Sequence, residues 1–326
     1  MNIVFCLDNN LIKQAIILIK SIIATNSSEN IQFFALLLKV DRGGVDALQM
    51  AVSNKATLTV YEMQNELNAL TVSSNRLTVG TYLRFFIEKK LPISIKKVLY
   101  LDCDIIVVAS LKELYEIDIS DYSLAAAFDV ECDDICRYNR LDYPLQDGYF
   151  NAGVMLINLE YWRNHSISEK ALNFICENPK ACIFQDQDAL NHLLHGTVKF
   201  ISNRYNVIYD FFRIDSENLR IEKNKYAVIK KDLQNPVIIH YAGVFKPWNI
   251  EYHRFNYPFS SLYSYYANLK DVNLTFLHWK SKKNSQITLK QILRKIFVVL
   301  HILSSDAESK RKNYEDISKI ESTFIH

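Results

Sequence analysis

Val98-Leu99-Tyr100-Leu101-Asp102-Cys103-Asp104-Ile105-Ile106-Val107-Val108 interrupts an apolar run with two carboxylates one residue apart. An isolated ionised carboxylate in an apolar setting either shifts its pKa or acquires a partner. A divalent cation bridging a diphosphate is such a partner, because hard cations take oxygen ligands and Mg²⁺ is usually held by few carboxylates plus substrate phosphates. A strand end carrying two solvated Asp side chains fits the same stretch. The surrounding chain has to decide between the two.

Val98–Leu101 reads as the fourth in a series of short buried strands, after Ile3–Leu7, Phe33–Leu38 and Leu58–Tyr61. Between them, Leu11–Ala24 places Leu11, Ala15, Leu18, Ile19, Ile22 and Ile23 at helical spacing, and Val45–Val52 and Tyr82–Lys89 also suit helices. Strands alternating with helices imply a parallel sheet covered by helices. Ligands of such sheets bind beyond the carboxyl ends of the strands, where both Asp8 and the Asp102/Asp104 pair fall.

Further along, Leu124–Phe128 reads as a strand, and the polar stretch Asp129–Gly148, with one helical piece, as a candidate lid or substrate loop. Phe150-Asn151-Ala152-Gly153 leads into a strand at Val154–Ile157, then a helix containing Trp162. Gln185-Asp186-Gln187-Asp188 opens a helix through Leu194, its early acidic residues suiting the helix dipole. Pro236–Ile239 is a short strand carrying His240-Tyr241-Ala242-Gly243, with Lys246-Pro247-Trp248 just after.

The 326 residues suit one large α/β domain with a smaller element. A hydrophobic share of 49% and a charged share of 23% describe an ordinary globular protein, and a net charge of +2 gives no support for nucleic acid as a partner. The six cysteines follow neither a disulfide nor a zinc pattern, which fits reduced thiols in a cytosolic protein. With only seven glycines there is no Gly-x-Gly-x-x-Gly or Walker loop, which argues against a dinucleotide dehydrogenase or a P-loop kinase. A diphosphate bound here needs something other than a glycine cradle, and a metal is the natural substitute.

Each remaining motif has a plain structural reading. His240 fits a satisfied core histidine, Gln185–Asp188 a helix cap, and Asn151–Gly153 a turn. In combination the order is specific: Asp-x-Asp, Phe-Asn-Ala-Gly-Val, Gln-Asp-Gln-Asp, then His-Tyr-x-Gly-x-x-Lys-Pro-Trp. From Ile3 to about Trp248 the chain resembles glycosyltransferase family 8, the retaining, metal-dependent enzymes that use nucleotide sugars. It is similar to the bacterial lipopolysaccharide galactosyl- and glucosyltransferases.

The resemblance implies a GT-A fold: a Rossmann-like, mixed but mostly parallel sheet flanked by helices, with a small helical C-terminal extension. It implies a catalytic domain over residues 1–250 and an extension over 251–326. Asp102, Asp104 and His240 would ligate Mn²⁺ or Mg²⁺, and the imidazole favours Mn²⁺. Lys246 would neutralise the leaving diphosphate, which the backbone at Gly243 approaches closely. Asp8 and Asn10 would bond uracil and ribose, and Arg84 would lie near the donor sugar and phosphates. Cys103 falls in the nucleotide-binding segment by position, its side chain turned from the metal by strand alternation. Asp129, Asn151, Asp186 and Gln187 would ring the transferred hexose. An amide is a poor nucleophile, so with Gln187 beneath the reacting carbon a front-face substitution is expected. The expected function is transfer of hexose from UDP-glucose or UDP-galactose to a lipopolysaccharide core or O-antigen-type saccharide.

The N-terminus lacks a basic region and meets Asp8 too early for a signal peptide, and no run reaches the roughly 20 apolar residues that span a bilayer. A cytoplasmic protein is expected. After Lys280, Lys282 and Lys283 come Leu289, Ile292, Leu293, Ile296, Phe297, Leu300 and Leu303 at helical spacing, opposite Lys290, Gln291, Arg294 and Lys295. This basic amphipathic pattern fits a helix lying on the inner membrane surface beside a lipid-linked acceptor, or one docked on the catalytic domain. Ser304–His326 reads as polar and poorly ordered. Two other classes stay open on the residues alone: a metal-dependent phosphohydrolase, and a non-catalytic nucleotide-sugar-binding protein at the membrane.

Overall fold

Strands β1 (Asn2–Asp8), β2 (Gln32–Leu38), β3 (Thr57–Glu62) and β4 (Lys97–Leu101) are laid down in turn, as the apolar runs predict. The chain then forms β5 (Ile105–Val107), β6 (Leu124–Phe128), β7 (Phe150–Asn158), β8 (Val198–Ile201), β9 (Val207–Ile208) and β10 (Ile238–His240). The computed structural model describes residues 1–63, 79–213, 220–243, 246–248, 259–269, 317 and 319–324. The chain falls into two compact units, Met1–Lys246 and Pro247–His326.

In the first unit seven strands form one sheet, in the order β3-β2-β1-β4-β7-β6-β8. Pairing is parallel except around β7, which runs antiparallel to both β4 and β6. This is the mixed, mostly parallel α/β sheet that the resemblance implies. Strand β7 is buried along almost its whole length, as expected of a central strand covered on both faces. The helix Ile12–Thr25 packs its apolar residues, among them Ile16, Leu18 and Ile19, into the core.

A second sheet of three strands, β5-β10-β9, was not anticipated. The apolar run after Asp104 is therefore not a continuation of β4: Leu101 ends one sheet and Ile105 enters another. Two other expectations need correction. Val79–Phe86 is a 3₁₀ helix, followed by a short α-helix at Ile87–Lys90, where one α-helix was expected. Tyr82 to Glu88 are all buried, so this segment presents no solvent face of the kind an amphipathic surface helix shows. Asn151–Gly153 is strand rather than turn, because β7 already begins at Phe150. Within Asp129–Gly148 lie a helix, Ile135–Leu141, capped by the Asp134 carboxylate, and a 3₁₀ turn at Leu145–Asp147. Helices Ile167–Glu177 and Lys223–Asp232 were not anticipated.

In the second unit the helix Ser260–Ala267 buries Leu262, Tyr263 and Tyr266, and the Trp248 ring lies 5.2 Å from that of Tyr263. The basic amphipathic segment over 280–303 lies outside the described residues. Residues 319–322 are helical, with Ile317 and Ile320 buried, so that part of the polar tail is packed rather than poorly ordered. No described helix is long and apolar enough to cross a membrane.

Candidate active site

The turn Asp102–Asp104 is held by backbone bonds on both sides. The Asp102 amide donates to Gly153 O of β7 at 2.9 Å, and the Tyr241 amide donates to Asp104 O at 2.9 Å. Strand β10 runs antiparallel to β5 with His240 opposite Ile105. That register sets the imidazole beside Asp104, although the two residues are far apart in sequence. One ligand atom each from Asp102, Asp104 and His240 lies within 4.8 Å of the others.

Each carboxylate is tied back by one oxygen and faces inward with the other. Asp102 Oδ1 accepts from Arg84 NH2 at 2.9 Å and from the Tyr100 hydroxyl at 2.5 Å. Its Oδ2 is 3.9 Å from His240 Nε2. Asp104 Oδ2 pairs with Lys246 Nζ at 2.5 Å, and Oδ1 is 3.2 Å from His240 Nε2. Burial pushes the Asp104 carboxyl upward, but His240 and Lys246 outweigh it and hold the group well below the usual carboxylate range.

The arrangement fits a divalent cation. His240 Nδ1 is 2.9 Å from Asn206 Oδ1, so when that bond holds its proton the Nε2 lone pair faces two carboxylate oxygens. A divalent cation between them would satisfy that convergence of acceptors. Two donors about 2.1 Å from an octahedral ion, at right angles, lie about 3 Å apart, close to the 3.2 Å between Nε2 and Asp104 Oδ1. Gly153 makes the room: a Cβ there would meet His240 Cε1 at 2.2 Å and Asp102 Oδ2 at 2.9 Å. Two carboxylates and an imidazole are a donor set that a divalent cation can use.

Arg84 joins this cluster to a second one. Buried, with its guanidinium 4.6 Å from the Tyr100 ring centre, it also pairs through Nε with Asp186 Oδ2 at 2.9 Å. Its NH1 donates to Ala152 O at 2.9 Å. Burial pushes the Asp186 carboxyl up to about 6, against the opposing pull of Arg84. Gln187 Oε1 accepts from the Ala152 amide at 2.9 Å, and its Nε2 donates to Asp129 Oδ2 at 2.9 Å and to the Tyr149 hydroxyl at 3.1 Å. Asn151 Nδ2 donates to Asp129 Oδ1 at 3.1 Å. Burial raises the Asp129 carboxyl, with Arg137 at 3.7 Å pulling the other way.

The expected site residues thus fall into two adjoining networks: Asp102, Asp104, His240, Lys246, Arg84 and Asp186 in one, Asp129, Asn151 and Gln187 in the other. Asp8 ends β1 and accepts from the Asn10 amide at 2.9 Å and from Asn10 Nδ2 at 3.3 Å. Because β1 lies parallel beside β4, with Val4 opposite Tyr100, Asp8 and Asp102 share the carboxyl edge of the sheet. Gly243 has φ +84, a conformation that favours glycine. Cys103 points into the core, its thiol donating to Cys6 O at 3.4 Å, but it does so from a turn and not by strand alternation. Asp188, part of the same acidic motif, is structural: Arg140 at 2.8 Å, the Tyr149 hydroxyl at 2.7 Å and the Phe184 amide at 2.6 Å surround it.

Sequence reading missed Asn206, Tyr100, Tyr149 and the steric role of Gly153. The glycine stood in a quoted motif and offered a signal; Asn206 sat in no motif at all.

The profile of Glycosyl transferase family 8 matches residues 2–251. General stress protein A of Bacillus subtilis (strain 168) is 31% identical over 192 residues, which are 58% of this chain and 65% of that protein. Lipopolysaccharide 1,2-glucosyltransferase of Escherichia coli (strain K12) is 27% identical over 252 residues, 76% of this chain and 73% of that one. Among solved structures, galactosyltransferase LgtC in complex with donor and acceptor sugar analogs superposes with a TM-score of 0.72 at 25% identity, covering 82% of this chain and 95% of that one.

Proposed function

Given that the chain belongs to glycosyltransferase family 8, we propose that it transfers hexose from UDP-glucose or UDP-galactose, with retention of configuration, to a lipopolysaccharide core or O-antigen-type saccharide. The observation that carries this reading is the meeting of Asp102, Asp104 and His240, with Lys246 on the outer oxygen of Asp104. Mn²⁺ or Mg²⁺, when bound, supplies electrostatic stabilisation to charge developing on the departing diphosphate. Asp102, Asp104 and His240 would hold it. Lys246, already at the rim, would exchange its contact with Asp104 for phosphate oxygens. Asp8 and Asn10 would receive the nucleoside at the end of β1. Asp129, Asn151, Asp186 and Gln187 would position the hexose.

Retention without a carboxylate nucleophile is consistent with the bonding of Gln187. Its carbonyl oxygen accepts the Ala152 amide proton, and an amide is a weak nucleophile in any case. The reading therefore keeps a front-face substitution, with the leaving diphosphate assisting the acceptor hydroxyl. Residues 1–250 would form the catalytic domain and 251–326 an extension whose basic segment rests on the inner membrane surface near a lipid-linked acceptor. The protein would then be cytoplasmic and peripheral. A two-metal phosphohydrolase is not favoured, since it needs a further ligand set and among the described residues this group of three is the one found.

A UDP-release assay over a panel of UDP-sugars, with Mn²⁺ and with chelator, tests the proposal. We expect release from UDP-glucose or UDP-galactose, abolished by chelator. Turnover that survives chelation, or no release from either hexose donor in the presence of Mn²⁺, overturns it.

A further inference from the structure

The imidazole of His240 is not free to choose its tautomer, because a buried chain of hydrogen bonds decides it. The chain starts at a group with only one possible polarity: the Gly153 backbone N–H, which donates to the side chain of Asn151 at 3.0 Å. The accepting atom must be the Asn151 oxygen, which leaves the Asn151 amide nitrogen to donate to the Asp129 carboxylate at 3.1 Å. That same Asn151 oxygen lies 2.9 Å from the Asn206 side chain, so the Asn206 atom facing it must be the NH₂. A flipped Asn206 would set two carbonyl oxygens against each other. The remaining Asn206 atom, its oxygen, lies 2.9 Å from His240 Nδ1, and an amide oxygen only accepts. Nδ1 must therefore carry a proton. All three side chains are buried, with Asn206 at 0% exposure, Asn151 at 8% and His240 at 4%, so water does not compete for these bonds.

We propose that Asn206 is a positioning residue that fixes His240 as the Nδ1–H tautomer and so presents Nε2 as the metal ligand. This rests on the metal reading of the preceding section. Asn206 precedes β9, whose parallel pairing with β10 sets Ile208 opposite His240. Strand pairing thus delivers both the ligand and the group that orients it. Bonds from outer partners to a ligating histidine fix tautomer and ring orientation, and their removal typically costs about 10–100-fold in metal affinity.

The test compares wild type, Asn206→Leu and Asn206→Asp, with two measurements. Long-range ¹H–¹⁵N correlation on histidine-labelled, metal-free protein at alkaline pH reads the His240 tautomer; Mn²⁺ titration followed by electron paramagnetic resonance reads affinity without any turnover. Wild type should show Nδ1–H. Asn206→Leu should lose that preference and bind Mn²⁺ at least about tenfold more weakly. Asn206→Asp keeps an acceptor for Nδ1–H, although it gives up the donor to the Asn151 oxygen, and should keep the Nδ1–H tautomer. An Nε2–H tautomer in wild type, or unchanged tautomer and affinity in Asn206→Leu, overturns the assignment. If Asn206→Leu fails to fold, the wild-type tautomer and the Asn206→Asp variant decide alone, Nε2–H in either being the overturning result. Wild type that shows Nδ1–H yet takes up no Mn²⁺ overturns the metal reading instead and supports the orienting role of Asn206.

Discussion

Gly153 does three jobs that no larger residue combines. Its carbonyl accepts the Asp102 amide, its own amide polarises Asn151, and its missing side chain is the space in which the His240 ring lies. A methyl group there would overlap ring atoms that cannot retreat, because Nδ1 is bonded to Asn206. Gly153→Ala should therefore displace His240 and weaken Mn²⁺ binding by about tenfold or more, with a stability loss of about 1–3 kcal/mol from overpacking. Gly43→Ala is the matched control, since a Cβ there meets nothing closer than Asp41 Oδ1 at 3.4 Å. Equal Mn²⁺ affinity in the two variants would sink the steric argument. At this scale the chain was legible where a residue type is itself rare in its surroundings, as with Asp102 and Asp104 in an apolar run. It was opaque where the residue is ordinary and only its neighbours are special. Asn206 is such a case: nothing in Arg204-Tyr205-Asn206-Val207 announces a partner for an imidazole 34 positions later.

The small sheet β5-β10-β9 is the element that assembles the site, and its support is equally local. The Val107 amide of β5 donates to the Ser21 hydroxyl at 3.0 Å, and that hydroxyl donates in turn to Leu18 O at 2.8 Å within the helix Ile12–Thr25. Ser21 is fully buried, so Ser21→Ala strands a backbone N–H away from water. The expected loss is about 1–3 kcal/mol, read from the midpoint of urea unfolding with the slope unchanged. A loss below about 0.5 kcal/mol would mean that water reaches Val107 and that the helix does not seal this strand. The sequence reading recovered the strands of the large sheet because their runs are long and apolar. It missed the second sheet because β5 and β9 are only three and two residues long, too short for any periodicity to register. Strand pairing across 131 to 135 positions carries no local signal either, and that pairing is what brings His240 to Asp104.

For the molecule as a whole, the proposed membrane seat follows from charge rather than from fold. Each lysine near an anionic surface contributes about 1 kcal/mol, so replacing Lys280, Lys282 and Lys283 together by Gln should weaken binding to anionic vesicles by about 100-fold. UDP release from the donor in solution should stay as it is. Vesicle binding that ignores the substitution would overturn this charge-based seat, and wild-type protein that does not bind anionic vesicles would favour the helix-docked alternative. The order of motifs along the chain made the family recognisable, and the mixed sheet agrees with it, whereas the reversal of β7 was not foreseen in its particulars. That reversal brings the start of β7 against the end of β4, so that Gly153 and Asp102 meet. The turn they brace is also a seam: Leu101 closes one sheet and Ile105 opens the other. A cation lodged between Asp102, Asp104 and His240 would act as a rivet through that seam. Its binding free energy is thereby linked to the cohesion of two sheets, and the loaded enzyme should be mechanically stiffer across them than the empty one.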